Sequence, residues 1–182
     1  MSKALVLIDL QNDYFPGGRM ELVGADAAVS QAAGLLAAFR MRSLPVIHIQ
    51  HISTRAGATF FLPETPGADI HAAVRPGAGE TVIVKHFPNG FRETDLQARL
   101  RSLGASQLVF AGMMTHMCVD TTVRAASDLG FPSSLAHDAC ATRNLQFGTS
   151  QVSAADVQLA YLAGLNGTFA GVRSASELAA EL

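Results

Sequence analysis

The chain alternates between two hydrophobic rhythms. Short, mostly apolar runs occur at Ala4–Ile8, Val46–Ile49, Thr81–Val84 and Gln107–Ala111, as expected of parallel strands buried on both faces. Two weaker runs follow at Ser133–Ala136 and Gly167–Val172. Between them, apolar residues recur at helical spacing. Ala28, Val29, Ala32, Leu35, Leu36 and Phe39 form such a stripe within Ala25–Arg42, and Leu96, Leu100 and Leu103 within Thr94–Leu103. Val119, Thr122, Val123, Ala126 and Leu129 continue it after Cys118, and Val157, Ala160, Tyr161 and Gly164 within Ser153–Leu165. Gly104 reads as the residue just past a helix end, and Ser174 to Glu177 as a capping box. Strands alternating with helices predict an α/β fold: a doubly wound, three-layer sandwich with a mostly parallel sheet of about six strands. Gln50–Gly79 is a long connection rich in proline and glycine, a length that is usually functional. Arg143–Ser150 reads as a polar loop.

Composition narrows the picture. The 182 residues are expected to form a single domain over 1–182. Hydrophobic residues make up 49% of the chain and charged ones 15%, with mean hydropathy +0.26. That supplies a large core and a surface poor in charge, which points to buried subunit contacts. A net charge of -2 argues against nucleic acid or an anionic membrane as partner. Two cysteines make no disulfide framework. Ala4–Ile8 is too short for a signal segment, Asp9 ends it, and no apolar run approaches membrane length. A cytoplasmic protein acting on a small molecule is the expectation. Neither a G-x-G-x-x-G nor a P-loop pattern occurs, so a nucleotide site has no support.

Chemistry concentrates at three strand ends. Asp9 follows the first strand, Lys85 the third, and Cys118 the run at 107–111. In open α/β sheets this edge is where ligands bind. Each residue alone has an ordinary explanation: a cap acid, a lysine reaching solvent, a small buried hydrophobe. One such residue per strand end points instead to a joint site. A thiol at a helix start beside a lysine ammonium is expected to ionise, and an aspartate can take its proton and pass it on. Asp13 reads as a turn acid. Phe15, Phe87, Phe91 and Tyr161 are candidates for an apolar pocket, Gln11 and Asn89 for polar substrate contacts, and His116 for a substrate contact or helix cap.

Five stretches in order, Leu5–Phe15 (LVLIDLQNDYF), Glu64–Ile70 (ETPGADI), Ile83–Phe91 (IVKHFPNGF), Ala111–Ala126 (AGMMTHMCVDTTVRAA) and His137–Thr142 (HDACAT), resemble the isochorismatase-like cysteine hydrolase superfamily. That superfamily includes nicotinamidases, N-carbamoylsarcosine amidases, ureidoacrylate and biuret amidohydrolases, and isochorismatases. The resemblance implies a Rossmann-like hydrolase fold, a homo-oligomer (dimer or tetramer) and an Asp-Lys-Cys triad carried by Asp9, Lys85 and Cys118. It also implies a cis peptide at Met113–Met114 that turns the Met114 N–H to form an oxyanion hole with the Cys118 N–H. The implied reaction is hydrolysis of a C–N bond in a small amide, ureido or carbamoyl compound through a Cys118 thioester. Nicotinamidases carry an Asp-x-His metal pattern after the second strand; here that position reads Gln50-His51-Ile52-Ser53. The spacing of His48, His51 and His71 does not match that site, so no metal and no other cofactor is expected. The alternatives are a vinyl ether hydrolase of isochorismatase type, with Arg19, Arg55, Arg75 and Arg143 available for carboxylates, a redox-sensing thiol, or a non-catalytic binding protein. Cys140 reads as structural.

Overall fold

From Ala4 to Ile8 in the first strand every side chain is buried, and the pleat sends alternate residues to opposite faces. Leu5 and Leu7 enter one apolar cluster; Ala4, Val6 and Ile8 enter another. This two-sided burial sets the architecture in the computed structural model, which describes residues 2–182. Six strands form a parallel sheet: β1 (Ser2–Ile8), β2 (Val46–His51), β3 (Thr81–Lys85), β4 (Ala105–Met113), β5 (Ser133–Ala141) and β8 (Gly171–Arg173), in the order β3-β2-β1-β4-β5-β8. Helices α1 (Ala25–Met41) and α5 (Ala175–Ala180) supply Leu35, Leu36, Phe39 and Leu178 to the cluster on one face. On the other face, α2 (Leu96–Ser102), α3 (Asp120–Asp128) and α4 (Ala154–Leu165) bring Leu96, Leu100, Val123 and Leu165. The sheet reverses direction of growth beside β1, which places the crevice of a doubly wound fold at the C-terminal ends of β1 and its neighbours. Among the described residues, no helix is long and apolar enough to cross a membrane.

Several expectations from the sequence change. Arg143–Ser150 is not an irregular loop. Together with Gln151 and Val152 it carries an antiparallel hairpin, β6 (Leu145–Phe147) with β7 (Ser150–Val152), turned at Gly148 with φ 59°. Its residues are almost all exposed, so no burial alternation marks it. The strand expected at Ser133–Ala136 runs on to Ala141, because a shift between Phe110 and Gly112 re-pairs the sheet at Cys140. The last strand is only three residues, since Phe169 and Ala170 still donate to the Leu165 carbonyl at the end of α4. On α4 the buried stripe is Ala154, Val157 and Leu165; Ala160 and Gly164 face solvent. Leu129 is 39% exposed at the end of α3. The capping box at Ser174 and Glu177 is present, and Gly104 adopts φ 64° just past α2.

The long connection after β2 is held down by residues that follow β1. The Asn12 Nδ2 donates to Pro66 O at 2.8 Å. The Asp13 carboxylate is buried and accepts from Phe61 N at 2.6 Å and Arg19 N at 3.2 Å. A Cβ on Gly67 would lie 2.2 Å from Asp13 Oδ1, so only glycine lets the connection close on that carboxylate. At the opposite edge of the sheet, Glu80 joins α1 to β2 and β3 by accepting from Arg40 at 2.7 Å and contacting His48 Nε2 at 2.8 Å.

Asp13→Ala leaves the buried Phe61 N–H without its acceptor. The expected cost is about 1–3 kcal/mol, a fall in melting temperature of about 2–10 °C by thermal unfolding. The Arg40 guanidinium holds the Glu80 carboxyl down at about 2. A depressed carboxyl stabilises the fold above its ordinary range, and that stability is lost as pH falls toward about 2. Acid titration of Glu80→Gln is expected to show a shallower loss between those limits than wild type.

Candidate active site

Asp9 leaves β1 with φ 50°, a left-handed backbone uncommon for a residue with a side chain. Its N–H donates to Ile49 O at 3.0 Å, and Gln11 N donates back to Asp9 O at 2.9 Å. Gly112 at the end of β4 allows the close approach beside it: a Cβ there would meet Ile8 O at 2.1 Å. Cys118 lies in a wide helical turn, Thr115–Val119, that leads from β4 into α3. Lys85 ends β3, which is separated from β1 by β2. The three strands are therefore not all neighbours, and the length of the lysine side chain makes the convergence.

That convergence is tight. The Lys85 Nζ donates to Asp9 Oδ2 at 2.7 Å and to Cys118 Sγ at 3.2 Å, and lies 3.0 Å from His51 Nδ1. Asp9, Lys85 and Cys118 are all buried. An ammonium has three N–H donors, and these three atoms are its acceptors. His51 pairs in register with Lys85 on the adjacent strand, which brings it to the site. In the sequence His51 reads only as a candidate metal ligand. Its place two positions past the buried run Val46–Ile49, at the end of the strand that pairs with the one ending in Lys85, is the signal that could find it.

The electrostatics correct one expectation. Burial pushes the Cys118 thiol up, the Asp9 charge pushes it further, and Lys85 opposes both without prevailing. The resting site holds a thiol rather than a thiolate, because the dehydration of a buried sulfur outweighs one nearby ammonium. Burial works to lower Lys85, but the Asp9 carboxylate overrides it and leaves its pKa raised. Burial and then Lys85 bring His51 down to about 4, so its ring is neutral. The second Asp9 oxygen, Oδ1, is buried with no partner among the described residues.

Next to this group, with His51 in its lining, opens a cavity of about 680 Å³. Met20, Phe60, Phe87, Met114 and Met117 form apolar walls; His51, Arg55, His86 and Arg143 supply polar groups. The Met113–Met114 peptide is cis, and the Met114 N–H has no hydrogen-bond partner among the described residues. Of the residues expected to bind substrate, Phe87 lines the cavity, with the Arg92 guanidinium 3.6 Å from its ring centroid. The others lie elsewhere. Gln11 clasps the His51 backbone and Ala68 O at 2.7–2.8 Å. Phe15 stacks on His71 at 4.1 Å. Asn89 accepts from Phe91 N, and Phe91 packs on Phe131. His116 contacts Thr142 Oγ1 at 2.6 Å and meets Tyr161 edge-on. Short polar and aromatic residues near a strand end read alike whether they build the scaffold or face a ligand. Arg55 and Arg143 reach the cavity; Arg19 and Arg75 do not line it.

One set of donor atoms has the spacing of a metal site: an Asp9 oxygen, a His51 nitrogen and Cys118 Sγ lie within 4.8 Å of one another. The Lys85 ammonium already bonds all three, so a fixed cation takes the place a metal would. Cys140 is separate, donating to Ala136 O at 3.3 Å, and burial pushes its thiol up to about 12.

Residues 3–166 match the model of the isochorismatase domain. The chain belongs to the isochorismatase family of hydrolases. The uncharacterized isochorismatase family protein YddQ of Bacillus subtilis is 48% identical over 174 residues, 96% of this chain and 97% of that one. Streptothricin hydrolase of Streptomyces noursei is 34% identical over 143 residues, 79% of this chain and 51% of that one. The crystal structure of a putative isochorismatase hydrolase from Oleispira antarctica superposes with a TM-score of 0.95 at 48% identity, covering 98% of this chain and 96% of that one.

In this isochorismatase-family site a raised thiol pKa predicts slow alkylation of free Cys118 near neutral pH, rising as pH increases past the ordinary thiol range. Asp9→Asn removes a negative neighbour and is expected to speed iodoacetamide labelling at fixed pH, roughly threefold per unit of pKa lowered, since the gain in thiolate is partly offset by its weaker nucleophilicity. Peptide mass mapping checks this, with Cys140 as the slow internal reference.

Proposed function

We propose that this chain is a thiol amidohydrolase that cleaves a C–N bond of a small amide, ureido or carbamoyl compound without a metal. The observation that carries this reading is the buried Asp9–Lys85–Cys118 triangle, next to a cavity whose lining includes His51, the third acceptor of the Lys85 ammonium. The relation to streptothricin hydrolase, at 34% identity, supports hydrolytic chemistry of this kind.

The groups divide the work as follows. Asp9 Oδ1, the oxygen Lys85 leaves free, takes the Cys118 proton as sulfur attacks the carbonyl carbon. Lys85 stays protonated and keeps Asp9 charged and sulfur polarised. Because the resting group is a thiol, proton transfer accompanies attack. The oxyanion forms against the Met114 and Cys118 N–H groups, and removing one such donor costs about 2.7–4 kcal/mol in comparable sites. Asp9 returns its proton to the leaving nitrogen, and ammonia or an amine departs, leaving a Cys118 thioester. Water attacks the thioester as Asp9 takes a proton from it. Collapse releases the acid and restores the thiol.

Ammonia release from a panel of small amides and ureido acids tests this. Cys118→Ala is expected to lower release by about 10⁴-fold or more, and a chelator to leave wild type unchanged. Release that persists in Cys118→Ala, or a chain inert to amides but active on isochorismate without Cys118, contradicts the proposal.

A further inference from the structure

His51 has a divided environment that the triad alone does not use. One nitrogen, Nδ1, lies 3.0 Å from Lys85 Nζ, and the ring also lines the cavity. A lysine ammonium is a donor only, so Nδ1 must present its lone pair. The one ring proton is then on Nε2, which has no partner among the described residues; the other His51 bonds are made by its backbone. A second ring proton would set an imidazolium against the Lys85 ammonium. Phe61 packs 6.0 Å away, and Gln11 clamps the backbone on both sides, so the ring is held in place.

We propose that His51 is a specificity-determining residue whose Nε2–H, fixed in that tautomer by Lys85, hydrogen-bonds an acceptor on the substrate adjacent to the attacked carbonyl carbon. A His51 nitrogen lies within 4.8 Å of Cys118 Sγ and the residue lines the cavity, so a substrate acceptor that meets the ring from the cavity lies close to the reacting sulfur. The inference rests on the amidohydrolase reading for its chemistry. It narrows the substrate class to amides bearing an oxygen or nitrogen acceptor next to the scissile carbonyl. It also excludes His51 as the base that activates water, since its lone pair is engaged by Lys85.

Glycolamide and propionamide test it, being nearly isosteric and uncharged, and differing by a hydroxyl at that position. Wild type is expected to favour glycolamide in kcat/KM by about tenfold, since a donor left unpaired on desolvation is costly. His51→Leu should bring the ratio close to one whatever its absolute rate. His51→Gln, whose oxygen can serve Lys85 while its NH₂ serves the substrate, should keep most of the preference. Independently of turnover, ¹⁵N NMR of histidine-labelled protein should show His51 as the neutral Nε2–H tautomer between about pH 5 and pH 8. In Cys118→Ala, glycolamide and not propionamide should shift that signal. A shift with no turnover in wild type would sink the amidohydrolase reading and leave the donor role standing. An Nδ1–H or cationic ring, no shift with glycolamide, or equal losses for both amides in His51→Leu would overturn the donor role.

Discussion

The structure depends on one buried ammonium. Lys85 is removed from water, and its three protons are taken up by Asp9, His51 and Cys118. Burying a charge is expensive unless every hydrogen bond is replaced, and breaking such a pair costs about 3–5 kcal/mol because the remaining partner is left bare. Each acceptor comes from a different strand end, so the ammonium also fixes how β1, β2, β3 and the turn after β4 meet. The same contact that neutralises Asp9 leaves its other oxygen buried with no partner among the described residues.

The five residues after β1 divide into chemistry and scaffolding. Asp9 faces the lysine. Gln11 holds the His51 backbone, and with Gln50 it holds Ala68 O. Asn12 and Asp13 tie down Pro66 and Phe61. One short polar segment therefore positions Asp9 and also fastens the connection that supplies Arg55 and Phe60 to the cavity wall. A change in that segment acts on geometry and stability together.

The layout of strands and helices was legible because both faces of the sheet are covered, so apolar runs and helical stripes were strong. Asp9, Lys85 and Cys118 stood out because charge or thiol at the end of a buried strand has few uses. What stayed hidden follows from the same physics. The β6–β7 hairpin buries almost nothing, leaving no periodicity to read. Gln11, Phe15, Asn89 and Phe91 have the chemistry of ligand contacts but spend it on the scaffold, a choice made by three-dimensional packing. The thiol's protonation turned on burial, which no spacing of residues reveals. His51 looked like a metal ligand because the lysine that occupies its lone pair is distant in sequence.

The central claim is that Cys118, served by Asp9 and Lys85, carries the reaction covalently. Rapid acid quench of turnover on an accepted amide, followed by intact and peptide mass spectrometry, addresses it most directly. The account predicts an acyl adduct on Cys118 that appears and decays with turnover, and none on Cys140. Full turnover with Cys118 unmodified at every time point, on a substrate whose deacylation has been slowed, would contradict it.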